Sequence, residues 1–149
     1  MQWFKNEALN VDEGWTIIVF AHALYLVHNS TNKLDYIGAE FIKAIDEYNG
    51  KGVIACVLQG HSHVDRIHIG MTDVPYILTQ CDRTEPYDKY DINVYRVRGT
   101  ISEQHFEVVV LDKGKQEVKL FSIGSNARDG VDNEPGKEVD VRIVKYGKQ

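Results

Sequence analysis

The chain has 149 residues, 43% hydrophobic and 26% charged, with 17 Lys and Arg against 22 Asp and Glu for a net charge of −5. That is the balance of a soluble globular protein and the length of a single domain, 1–149, able to bury a core. No Lys/Arg cluster offers phosphate contacts to nucleic acid, and no apolar run approaches the roughly 20 residues needed to cross a membrane.

The N-terminus has no basic start followed by an apolar stretch, so it does not read as a signal peptide. Trp3, Phe4, Ala8 and Leu9 are instead spaced like one face of a short helix over about Gln2 to Leu9. Asp12-Glu13-Gly14 turns into a strand from Trp15 to Phe20. The polar loop Asn29-Ser30-Thr31-Asn32 offers helix-capping residues. Tyr36, Ile37, Ala39, Phe41, Ile42, Ile45 and Tyr48 then form an apolar stripe, which predicts an amphipathic helix closed by Asn49-Gly50. A strand follows from Val53 to Leu58, and strand-helix-strand order implies a parallel pair with a right-handed crossover.

The second half changes character. Strands are expected over Arg66 to Gly70 and Val74 to Thr79, the latter with Pro75 near its start or on an edge. Asp82 to Asp91, with Tyr87 and Tyr90, reads as a surface loop, and Asn93 to Arg98 alternates like a strand. Phe106 to Leu111 and Glu117 to Ile123 read as a hairpin joined by Asp112 to Lys115. A turn-rich stretch, Asn126 to Lys137, leads into a last strand over about Glu138 to Val144. Cys56 lies in an apolar run and reads as a small core residue. With Cys81 it makes neither a disulfide framework nor a zinc knuckle, which favours a cytoplasmic location. The fold class is α/β, with a mixed sheet, an N-terminal strand-helix-strand unit and C-terminal antiparallel hairpins.

Three histidines sit where strands end. His22 follows the Trp15 strand, and His61 and His63 follow the Val53 strand in Gly60-His61-Ser62-His63. Open α/β sheets bind ligands outside the carboxyl ends of their strands. In an extended segment residues i and i+2 point the same way, so His61 and His63 can offer two imidazoles from one piece of backbone. Imidazole suits zinc, iron, manganese and nickel. His28, His68 and His105 lack such a setting and read as ordinary satisfied polar residues. Asp65 and Arg66, just past the histidines, read as solvated charges.

The run Val19-Phe20-Ala21-His22, followed by Gly60-His61-Ser62-His63, resembles the last two motifs of the calcineurin-like metallophosphoesterases. Trp3-Phe4 with Leu9 is similar to the helix before the penultimate motif, and Phe106 to Asp112 with Val118 to Gly124 is similar to the closing hairpin of bacterial and phage-type members. The resemblance implies half of a metallophosphoesterase-type α/β sandwich. It implies metal ligation by His22, His61 and His63, with His22 and His61 on one ion and His63 on the other. The metals would be manganese, iron or zinc, and the substrate a phosphate mono- or diester. The family's earlier motifs, Asp-x-His, Gly-Asp and Gly-Asn-His, do not occur in the 21 residues before His22. The chain is therefore expected to be the C-terminal part of such an enzyme, inactive alone, with metal binding weak or absent and no catalytic residue assigned. A homodimer through the exposed sheet edge is expected. The competing readings are a non-catalytic binding or structural module with relic histidines, and a small metal-binding protein unrelated to phosphoesters.

Overall fold

A computed structural model of the chain describes residues 1–28, 33–62, 65–79, 99, 104–124 and 139–147. The segments Asp82 to Asp91, Asn93 to Arg98 and Asn126 to Lys137, together with Cys81, lie outside these described residues.

The first sheet contains β1 (Thr16–Ala21), β4 (Val53–Gln59), β6 (Pro75–Leu78) and β5 (Arg66–Ile69), in the order β1-β4-β6-β5. β1 and β4 run parallel, as the strand-helix-strand order implied; β4 and β6 are also parallel, and β5 and β6 pair antiparallel. Pro75 is the first residue of a fully buried inner strand, a position that asks no ladder hydrogen bond of it. The expected hairpin is β7 (His105–Asp112) with β8 (Glu117–Gly124), and β9 (Val139–Lys145) completes a three-stranded antiparallel sheet. Asp112 shapes the hairpin turn by accepting from the Lys115 N–H at 3.0 Å. That contact and the Lys119 ammonium hold its carboxyl below the usual range. Among the described residues the class is thus α/β, with one mixed four-stranded sheet, one three-stranded antiparallel sheet and a further two-stranded antiparallel pair.

Two expectations need correction. The helix α1 covers only Ala39–Asp46, and Tyr36 belongs to a strand. β2 (Tyr25–His28) and β3 (Lys33–Tyr36) pair antiparallel, so His28 is a strand residue and the stripe from Tyr36 spans two elements. Helical spacing misled there because Tyr36 and Ile37, which fit the stripe, are both exposed. The chain turns into α1 where the Ile37 and Gly38 N–H groups donate to the Leu24 carbonyl. A Cβ on Gly38 would lie 2.4 Å from the Leu24 side chain, so this approach requires glycine. The N-terminal helix is a single wide turn, Phe4–Ala8, closed by the Leu9 N–H on the Phe4 carbonyl at 3.0 Å. It buries Phe4 and Leu9 and leaves Trp3 exposed.

β4 is the centre of the core, and both its faces are covered. On one, Ile54 and Val57 pack with Phe4, Leu9, Leu24, Ile42 and Ile45 from the helical layer. On the other, Ala55 and Cys56 pack with Ile77 of β6, Val118 and Leu120 of β8, and Tyr146. Cys56 is a core residue, as expected, and burial pushes its thiol up to about 12. Ala55 and Cys56 are neighbours yet share a face because of an irregularity in the β1–β4 register. Ile17 pairs with Ile54, but Ile18 pairs with Cys56, which leaves Ala55 as an extra residue, a bulge. Side-chain parity therefore reverses at Ala55, and Val57 and Gln59 face the helical layer. Among the described residues, no helix is long and apolar enough to cross a membrane.

A polar group interrupts the helical-side core. Asp46, at the end of α1, is buried beside Tyr76, whose hydroxyl lies 3.5 Å from Oδ1. Burial raises the Asp46 carboxyl; hydrogen bonds from Tyr76 and Thr72 and the nearby His68 oppose that rise only in part. Since the folded value lies above the ordinary aspartate value of 3.8, the folded state holds this proton more tightly, and stability falls as pH climbs from 3.8 through the raised value. Asp46→Asn should therefore be more stable than the parent at pH 7. Its advantage should vanish below about pH 3.8, a crossover readable from thermal melts across that range.

Candidate functional site

The site forms at the shared C-terminal end of β1 and β4. Because the two strands are adjacent and parallel, Ala21 pairs with Gln59, and the residues that follow leave the sheet side by side. The ladder continues one step further, the Gly60 N–H donating to the His22 carbonyl at 3.1 Å. His22 and His61 thus emerge together. His61 Nδ1 lies 3.0 Å from His22 Nε2, with the two rings edge to face at 86°. Both side chains are exposed.

The backbone at His61 departs from expectation. Its φ is +68°, and the Ser62 N–H donates back to the Gly60 carbonyl at 2.9 Å, so His61 sits at the centre of a tight turn. The segment is not extended, and the argument that His61 and His63 point the same way does not apply. His63, the third expected ligand, lies outside the described residues. A left-handed conformation costs a non-glycine residue of order 1 kcal/mol or more and persists where its surroundings impose it. Here it turns the His61 ring toward β1.

Gln59 holds this geometry. The bulge at Ala55 aims its buried side chain at the loop that carries His22. There its Oε1 accepts from the Leu24 N–H at 2.9 Å and the Tyr25 N–H at 3.1 Å, and its Nε2 donates to the Tyr25 carbonyl at 2.9 Å. Ser62 adds a second tie, its Oγ accepting from the Val27 N–H at 3.1 Å. Gln59→Ala orphans a buried N–H at Leu24 and should cost about 1–3 kcal/mol. Amide exchange at Leu24 and Tyr25 should accelerate well beyond that of β7 and β8.

The donor set fits a divalent ion. Two nitrogen ligands at about 2.0–2.1 Å from one tetrahedral ion lie about 3.3 Å apart, so a small opening from 3.0 Å lets His22 and His61 share one. Among the described residues, no other His, Cys, Asp or Glu joins these two in a ligand group.

A second polar cluster lies beyond the histidines. Asp65, His105 and Glu107 place ligand atoms within 4.8 Å of one another, a possible metal-binding group. The same space already holds a cation. Arg142 on β9 pairs with Asp65 at 2.6 Å through Nη1 and with Glu107 through Nη2, while Glu107 also accepts from Ser122 Oγ at 2.8 Å. With the guanidinium balancing the two carboxylates, a divalent ion would have to displace it. Asp65 is therefore not the solvated charge its position suggested, but a fully buried ion-pair partner. His105 is likewise buried, as the first residue of β7. His68 sits between the Tyr25 and Tyr76 rings, at 4.8 and 6.3 Å, and burial lowers its affinity for a proton.

Of the ligands expected from sequence, the structure brings His22 and His61 together; Gln59, Glu107 and Arg142, which frame them or the neighbouring cluster, were not expected. One signal was available, since Gln59 is a polar residue closing an otherwise apolar strand. Comparison with family models, curated proteins and solved structures gives no match to this chain.

Proposed function

We propose that this chain carries the histidine side of a dinuclear metal centre in a phosphoester hydrolase of the calcineurin-like type. The carrying observation is the approach of His22 Nε2 and His61 Nδ1 to 3.0 Å across the ends of two adjacent parallel strands. Two further features support it. The motifs occur in the family's order along the chain. The first sheet also lies between a helical layer and a second, antiparallel sheet, consistent with half of a metallophosphoesterase-type sandwich.

In this reading His22, His61 and His63 hold divalent metal, manganese, iron or zinc. Bound metal in such a centre supplies an activated water and offsets charge on the phosphoryl oxygens of a mono- or diester. The chain's own contribution is to present imidazoles on a braced turn. Histidines alone leave two adjacent ions without a bridging carboxylate, so this chain by itself should take up one ion weakly and hydrolyse nothing. The same reading places self-association at the edge of β1, which has no second strand neighbour among the described residues and where Phe20 is exposed.

Calorimetric titration with zinc and manganese, run beside a manganese-dependent assay on an aryl phosphodiester, tests this. One weak site and no turnover is the expected result. Turnover by the chain alone overturns the claim of inactivity. Absence of any binding removes the metal reading and leaves a binding or structural module with relic histidines. A clean monomer in sedimentation at high concentration counts against the dimer.

A further inference from the structure

We infer that Arg142 is a positioning residue for His61, acting through Asp65 as a pin on the far end of the histidine loop; this rests on the metal reading above. The loop leaves β4 at Gln59 and returns to described structure at Asp65. Its near end is fixed by the Gly60–His22 backbone bond and the Gln59 amide, and its middle by Ser62 on Val27. Its far end is fixed by a charge. Asp65 is wholly buried and meets Arg142 Nη1 at 2.6 Å.

Arg142 is itself tied to the second sheet. Its Nη2 donates to Glu107 on β7 and lies 3.2 Å from Ser122 Oγ on β8. One planar guanidinium thus faces two ways, one nitrogen toward the loop and the other into the second sheet. The described residues on either side of His61 are thus tied at Gln59, Ser62 and Asp65, and a left-handed His61 persists where its surroundings impose it. A structural ion pair with no bearing on the histidines would stabilise the fold without affecting the meeting of the His22 and His61 rings. The two cases are separable.

The test compares the parent protein with Asp65→Ala, Glu107→Gln and Arg142→Lys. Zinc affinity is measured by calorimetry, and ring-proton contact between His22 and His61 by NMR without metal. Asp65→Ala should weaken zinc binding about 10- to 100-fold, the range for lost outer-sphere partners, and should lose the ring contact while β7 and β8 amides stay put. Glu107→Gln disturbs the same guanidinium but spares the Asp65 pair, so affinity should stay within about twofold of the parent, far inside that range. Arg142→Lys keeps the charge and should restore the contact only in part. Equal losses in Asp65→Ala and Glu107→Gln, or no loss in either, overturn the pin. If the parent shows the ring contact but no zinc binding, the metal reading fails and the ring contact alone judges the pin. If the parent lacks the ring contact, both fail. Should Asp65→Ala not fold, Asp65→Asn, which keeps its shape, is read in the same way.

Discussion

His61→Ala should weaken zinc binding by about a hundredfold while the urea midpoint moves little. Structural zinc sites yield about 10–16 kcal/mol over four ligands, or about 3 kcal/mol for each, which is about two decades in affinity. His61 is exposed and supports no core contact, so its removal leaves no cavity. The backbone offers a sharper form of the same experiment. At φ +68° glycine is unstrained, so His61→Gly should lose the ion and yet be at least as stable as His61→Ala. Calorimetry and urea unfolding on the same samples separate the two effects. Loss of the fold in His61→Gly would mean that the imidazole is a structural group.

Arg142→Met should be strongly destabilising, at about 3–5 kcal/mol, because it strands two buried carboxylates rather than because it deletes a bond. Asp65 and Glu107 both turn toward the guanidinium, and Asp140 comes within 3.9 Å of its Nε. Small domains keep about 5–15 kcal/mol in total, so the variant would be near its folding limit. The triple change Arg142→Met, Asp65→Asn, Glu107→Gln removes the stranded charges with the cation and should recover most of the loss. Urea midpoints of the two variants compare the costs. Equal instability in both would show that packing around the Arg142 stem, not charge balance, sets the effect.

The legible parts of the fold were those where apolar spacing and burial agree. The parallel β1–β4 pair and the β7–β8 hairpin were readable because their strands are bounded by clear turns. β2 and β3 were hidden because Tyr36 and Ile37 happen to continue a helical stripe that is buried only from Ile42 onward. The second sheet concealed its polar cluster for a related reason. Along β9, Val141 and Ile143 are 51% and 57% exposed, whereas Arg142 between them faces inward at 11%. Alternation gives a period but not a direction, and the usual rule of apolar side inward would have turned Arg142 out to solvent. At the site, strand-end logic located His22 and His61, but an ideal extended strand could not foresee the turn at His61.

The unpaired residue at Ala55 has a consequence for how such strands are recognised. Val-Ile-Ala-Cys-Val-Leu carries no visible alternation and passes for a strand buried uniformly on both sides. It is two half-strands in opposite phase, joined at one residue. The spacing from Val53 to the Gly-His pair is therefore one longer than an unbroken ladder would need. A search pattern counting residues back from Gly60 would assign Val53 and Ile54 to the wrong layers. Aligned by pairing with β1 instead, the two halves fall into place, and a gain or loss of one residue in β4 would leave its apolar content intact while reversing which layer Gln59 addresses.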